Sequence, residues 1–105
     1  MNEISVSELK KMMDNNEDFV LIDVREPLEF ETGNIDGIHI PMGTVLERLD
    51  EIPTDKKVVI HCKSGGRSGN IVRYLAIEKG YTNLYNLQGG LLAWRNEIDP
   101  SIQVL

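Results

Sequence analysis

The chain has one cysteine, Cys62, two histidines and few aromatic residues. A single cysteine excludes an internal disulfide, a CxxC redox pair and a zinc site built on thiolates. No apolar run approaches the ~18 residues that a membrane-spanning helix requires, so no membrane partner is expected. Basic residues are in short supply. Lys and Arg number 11 against 17 Asp and Glu, a net charge of −6. Such a surface repels polyanions, which argues against nucleic acid and anionic lipid as partners. The opening Met1-Asn2-Glu3-Ile4-Ser5 is not basic and runs into a polar helical pattern, so no secretory leader is read and a reducing, cytoplasmic location is expected. In that setting a lone cysteine is either buried filler or a working thiol. Its neighbours decide which.

What is present suits one folded domain over residues 1–105, with 41% hydrophobic and 27% charged residues. A chain of this size buries roughly 60–70% of its unfolded surface and folds without staples. The charge is unevenly placed. No acidic residue falls between Lys56 and Ile77, a stretch that holds Lys56, Lys57, Lys63, Arg67 and Arg73. A +5 island thus lies inside a −11 remainder, and Cys62 is in the island.

Short apolar runs alternate with amphipathic segments, the pattern of parallel strands joined by helices. Ser5 and Glu8 form a capping box for a first helix, with Ile4 and Leu9 as its hydrophobic staple. Phe19–Val24, Gly37–Pro41, Lys57–His61 and Asn83–Leu87 read as strands, and Pro27–Thr32 as a short helix stopped by Gly33. Val45, Leu46, Leu49 and Ile52 mark a further amphipathic helix, and a longer one is expected over about Ser68–Lys79, ended by Gly80. Gly89-Gly90 turns the chain into a last helix carrying Leu91, Leu92 and Trp94. The fold class expected is α/β: an open, mainly parallel sheet flanked by helices on both faces.

The informative stretch is Val58-Val59-Ile60-His61-Cys62-Lys63-Ser64-Gly65-Gly66-Arg67-Ser68, a buried strand, a glycine-bearing loop and a helix start. Ligands of open α/β sheets bind beyond the carboxyl ends of strands, where this order puts Cys62. Gly65 and Gly66 permit positive φ, so that successive N–H groups turn inward as an anion nest. The helix start adds unpaired N–H groups and the positive end of its dipole, and Lys63 and Arg67 add full charges. All of these favour thiolate over thiol, and a depressed Cys62 pKa is expected.

Cys62-Lys63-Ser64-Gly65-Gly66-Arg67-Ser68 resembles the active-site loop of single-domain rhodaneses, the rhodanese-like sulfurtransferases. Asp23-Val24-Arg25-Glu26 with Glu29-Phe30, Gly33 and Ile35 is similar to the family's N-terminal motif, and Leu87-Gln88-Gly89-Gly90-Leu91-Leu92-Ala93-Trp94 to its C-terminal one. The resemblance covers residues 4–95 or so. It implies a sulfurtransferase that carries sulfane sulfur as a Cys62 persulfide. The donor would be a small anion, thiosulfate or a persulfide, and the acceptor cyanide, a small thiol or a protein thiol. Lys63, Ser64, Gly65, Gly66, Arg67 and Ser68 would bind the donor, with Asp23 and Arg25 supporting the site from behind. No metal and no organic cofactor is implied. The chain departs from the pattern at Asn34 and Asp36, where the family usually has His and Pro, so the departure bears on loop shape and substrate access.

Two other readings compete. One is a sulfur-carrier or regulatory module that passes sulfur to a protein partner. The other is a cysteine phosphatase, which also places His-Cys before a loop and an Arg-Ser or Arg-Thr. Phosphatases have five residues between Cys and Arg, whereas Lys63, Ser64, Gly65 and Gly66 make four. A shorter loop narrows the cradle that three equatorial phosphoryl oxygens need. His61 should point to the opposite sheet face from Cys62 and is not expected to act as a base; His39 and Trp94 read as structural.

Overall fold

The near-continuous apolar runs become strands buried on both faces, as a parallel sheet requires. The computed structural model describes residues 2–105. Five strands, β1 (Glu3–Ile4), β2 (Val20–Asp23), β3 (Ile38–His39), β4 (Val58–His61) and β5 (Leu84–Leu87), form one sheet in the order β1-β5-β4-β2-β3. Every neighbouring pair is parallel. The helices are α1 (Val6–Asp14), α2 (Pro27–Thr32), α3 (Gly66–Lys79) and α4 (Gly90–Glu97). Among the described residues no helix is long and apolar enough to cross a membrane.

Strand alternation sorts the side chains into two cores. Ile22, Val58 and Ile60 meet Ile71, Val72 and Leu75 of α3 on one face, and Leu21 and Val59 meet Val6, Leu9, Leu91 and Trp94 of α1 and α4 on the other. The helices therefore cover both faces, as the sequence pattern predicts. The chain leaves β2 outward to β3 but leaves β4 the other way, to β5. Strand order reverses there, and the carboxyl ends of strands at such a switch point are where open α/β sheets bind ligands.

Local chemistry explains the boundaries. Ser5 Oγ accepts from the Glu8 N–H at 3.1 Å while Glu8 Oε1 accepts from the Ser5 N–H at 3.3 Å, closing the expected capping box. Gly80 ends α3 at φ 74°, a left-handed cap that glycine adopts freely.

Two expectations need correction, and one strand has no local signal in the sequence. Helix α3 begins at Gly66, two residues before Ser68, because the left-handed Gly65 already serves as its N-cap. The amphipathic helix expected around Val45–Ile52 is instead two 3₁₀ helices, Met42–Glu47 and Leu49–Glu51. Pro41 and Pro53 bracket this segment, Gly43, Thr44 and Val45 are weak helix formers, and Arg48 breaks it at φ −123°. The added strand is the two-residue β1. Glu3 and Ile4 pair with Asn86 and Leu87, and nothing local marks them as a strand.

Candidate active site

Cys62 follows β4 directly, and its side chain shares a core with Ile60 and Ile71 rather than with His61. The loop behind it is held at two places. Helix α4 starts against its first half: Leu91 N–H donates to the Cys62 carbonyl and Leu92 N–H to the Lys63 carbonyl, each at 3.0 Å. This contact explains Gly90. Its φ is 58°, and a Cβ there would lie 2.5 Å from the Lys63 oxygen and 2.7 Å from that of Cys62. Gly89-Gly90 is therefore a tight turn that also brings α4 onto the loop. The second half is held from β5, where Asn86 Nδ2 donates to the Gly65 carbonyl at 3.1 Å.

With its carbonyls fixed outward, the loop turns its N–H groups toward sulfur. Gly65 N–H lies 3.2 Å and Ser68 N–H 3.5 Å from Cys62 Sγ, with Ser68 Oγ at 3.3 Å. Burial, the largest single influence, pushes the Cys62 thiol up. The hydroxyl and N–H of Ser68 and the N–H groups of Gly65 and Ser64 together outweigh it and hold the thiol below its usual value. The depressed pKa expected from the sequence is present. Its main causes are these hydrogen bonds, however, and neither Lys63 nor Arg67 is among the leading ones.

The Ser68 hydroxyl has one proton and two acceptors, because Asn86 Oδ1 lies 2.6 Å away. In the thiol form the S–H can donate to Ser68 Oγ, leaving the hydroxyl proton to Asn86. In the thiolate form the charge-assisted bond draws that proton to sulfur. Gly66 differs from its neighbour. Gly65 sits at φ 103°, whereas Gly66 is outside the left-handed region and an added Cβ would meet nothing within 4 Å. Only one of the two glycines is needed for the nest.

Arg67, expected from the sequence to contribute a full charge toward the donor, is paired with a carboxylate. Its Nη1 and Nη2 reach Glu29 Oε1 and Oε2 at 2.7 and 2.9 Å, a two-pronged pair. Arg67 hydrogen bonding is the main cause that draws the Glu29 carboxyl down to about 2. Lys63 is half-buried, makes no ion pair among the described residues, and so remains as the loop's available cation. Ser64 is exposed and contributes its N–H.

Asp23 and Arg25 are fully buried and joined by Arg25 Nη2 to Asp23 Oδ2 at 2.7 Å and Nε to Oδ1 at 2.9 Å. Arg25 also donates to the carbonyls of Glu29 and Gly33, so the pair ties the end of β2 to α2 and thereby fixes Glu29. Burial raises the Asp23 pKa, and the Arg25 and His61 interactions more than reverse it. His61 is buried beside Asp23, with Nε2 3.6 Å from Oδ2. Burial holds its pKa below the ordinary value, so it is neutral near pH 7. Its Nδ1 lies 3.4 Å from the Cys62 carbonyl oxygen, and among the described residues it makes no hydrogen bond to Cys62 Sγ. His39 stacks on Phe30 at 4.4 Å, its Nε2 2.7 Å from the Arg25 carbonyl oxygen, and Trp94 is core.

The departures at Asn34 and Asp36 make a compact turn. Asn34 Oδ1 accepts from the Asp36 N–H at 2.9 Å, and Asp36 sits at φ 67°. Proline, locked near −65°, could not take that conformation. The two departures from the family pattern are thus linked.

Three residues important to this geometry escaped the sequence reading as site residues: Glu29, Asn86 and Gly90. Glu29 and Gly90 lay within recognised motifs, and a buried strand asparagine such as Asn86 is itself a signal, since it needs a partner.

Comparison with known proteins agrees with this geometry. The family model of the rhodanese-like domain matches residues 5–97. A sulfurtransferase of Allochromatium vinosum is 41% identical over 95 residues, 90% of this chain and 88% of that one. A rhodanese-like domain protein from Staphylococcus aureus superposes with a TM-score of 0.83 at 28% identity, covering 100% of this chain and 99% of the other. An NAD-dependent persulfide reductase from A. fulgidus matches with a TM-score of 0.70 and 38% identity; the match takes in 90% of this chain but 16% of the larger one. Sulfur transfer is thus the general activity of the named sulfurtransferase relative, and this chain belongs to the rhodanese-like domain family.

Proposed function

We propose that the protein is a sulfurtransferase in which Cys62 accepts and passes on sulfane sulfur. One observation carries this reading: a single thiol, with its pKa lowered, lies under the N–H groups of Gly65 and Ser68 at the carboxyl end of β4. With thiosulfate as donor, the Cys62 thiolate attacks the outer sulfur. The new Sγ–S bond forms, the donor S–S bond breaks, and its electron pair leaves with sulfite. A Cys62 persulfide remains, its negative charge facing the loop N–H groups. An acceptor (cyanide, a small thiol or a protein thiol) then takes the outer sulfur and returns Cys62 to thiolate. One cysteine suffices because the two half-reactions alternate. Neither requires a metal or an organic cofactor.

Lys63 would attract the anionic donor and the loop N–H groups of Ser64, Gly65 and Ser68 would hold it, while Asp23 and Arg25 keep the end of β2 rigid. A sulfur-carrier role toward a protein partner shares the first half-reaction and differs in the acceptor. The phosphatase reading gains no support, since four residues separate Cys62 from Arg67 and the guanidinium is bound to Glu29.

Incubation with thiosulfate followed by intact-mass measurement tests the reading. Wild type is expected to gain one sulfur atom and Cys62→Ser none. Gain by the serine variant would overturn the site. Aryl phosphate turnover lost in Cys62→Ser would revive the phosphatase.

A further inference from the structure

We propose that Glu29 sets the donor class, by occupying Arg67 so that the site favours a persulfide carried on an organic thiol over a dianion such as thiosulfate. This rests on the reading of Cys62 as the sulfur-accepting nucleophile. A guanidinium binds a dianion well when its planar fork is open. Here the end-on Nη1/Nη2 fork of Arg67 is taken by both carboxylate oxygens of Glu29, at 2.7 and 2.9 Å, so that its charge is neutralised while Nε–H stays outside the pair. The pair adds no net charge to the rim of the site, and Lys63 is left to attract the donor.

The carboxylate is held in place and is not a casual surface partner. Glu29 Oε1 also accepts the Glu26 N–H at 3.0 Å, which caps α2. Helix α2 is in turn held by Arg25, which donates to the Glu29 and Gly33 carbonyls and is itself locked to buried Asp23. The Glu29 side chain is only 14% exposed. A donor that needed Arg67 would have to displace a prepositioned carboxylate and uncap a helix. A dianion meets a single cation and a neutral pair, so it loses much of the attraction that the +5 stretch of sequence promises. A persulfide carries at most one negative charge and loses less.

The transfer balances for such a donor. The Cys62 thiolate attacks the outer sulfur of R–S–SH, the Sγ–S bond forms, the S–S bond of the donor breaks, and its electron pair leaves with the thiolate R–S⁻. The outer sulfur keeps its proton, and no external oxidant or reductant takes part.

Single-turnover loading of Cys62, followed by intact mass, would be compared for thiosulfate and for the hydropersulfide of 2-mercaptoethanol. Glu29→Gln keeps the length of the side chain and removes the charge that neutralises Arg67. It is expected to lower the half-saturating thiosulfate concentration by roughly tenfold, one charge-assisted hydrogen bond, and to move the thiosulfate/hydropersulfide selectivity ratio by a similar factor. Adding Arg67→Gln to this variant should cancel the gain. In wild type, sodium sulfate at constant ionic strength should leave hydropersulfide loading unaffected. An unchanged selectivity ratio in Glu29→Gln, or competitive inhibition of wild type by sulfate, overturns the proposal; the sulfate arm decides even if the variant does not fold. Failure of both donors to load wild-type Cys62 would instead overturn the reading of the nucleophile, and this proposal with it.

Discussion

Two helices begin at the same end of the sheet in the same way. Helix α3 follows Gly65 at φ 103° and α4 follows Gly89 at φ 76°, and neither has a side-chain cap. Each therefore presents unpaired N–H groups. At α3 they face a sulfur atom, through Ser68 N–H and the preceding Gly65 N–H. At α4 they are spent on two carbonyls, those of Cys62 and Lys63. One junction is a receptor for negative charge; its twin is the clamp that shapes the receptor. Glycine at a helix start thus says that N–H groups are available, not what they bind.

The comparison can be broken most severely at the clamp. Gly90→Ala places a Cβ against two carbonyl oxygens and is expected to cost about 3 kcal/mol of stability, read by urea unfolding, with loss of Cys62 loading. Gly65→Ala attacks the receptor instead. Forcing a side chain to φ 103° should cost about 1–2 kcal/mol, with loading slowed because the N–H to sulfur is misaimed.

Ser68→Ala is milder and sharper. Losing one hydrogen bond to the thiolate should slow loading roughly tenfold at neutral pH, and the acid limb of the pH–rate profile should move to higher pH. The sign follows from the thiolate being the form the hydroxyl stabilises. The same low pKa favours folding above the ordinary thiol pKa, an advantage lost as pH falls through the lowered value. The Glu29–Arg67 pair acts in a separate window. Its contribution is complete above the ordinary carboxyl value of 4.5 and is lost as pH falls toward about 2, so an Arg67→Gln variant should unfold with a shallower dependence on acid there. The smallest effect belongs to Gly66→Ala. With open space around the position and an ordinary helical backbone, thermal melting should show no loss and a gain of up to about 1 kcal/mol.

What the sequence made legible was local. The β4 run, the capping box at Ser5 and the nest at Gly65 each depend on residues within a few positions of one another, so their chemistry shows in order and spacing. Arg67 shows where local reading ends. Its charge is evident, but its partner Glu29 lies 38 positions earlier, on a different helix that the buried Asp23–Arg25 pair helps to hold in place. Asn86 is similar: its link to Ser68 spans 18 positions and crosses from β5 to α3. The 3₁₀ segment failed for another reason. Spacings of three and four between Val45, Leu49 and Ile52 suit an α-helix and a tighter one alike, and the flanking prolines chose.

The clamp at Gly90 also limits how this scaffold can change. With the carbonyls of Cys62 and Lys63 taken by α4, and Gly65 and Ser68 tied to Asn86, exposed Ser64 and Gly66 are where the ring has slack. A lineage widening this loop for a bulkier tetrahedral anion would have to insert its extra residue there, or rebuild α4 and β5 together. Ring size is thus inherited from the far end of the chain, and a one-residue insertion becomes an experiment in evolvability.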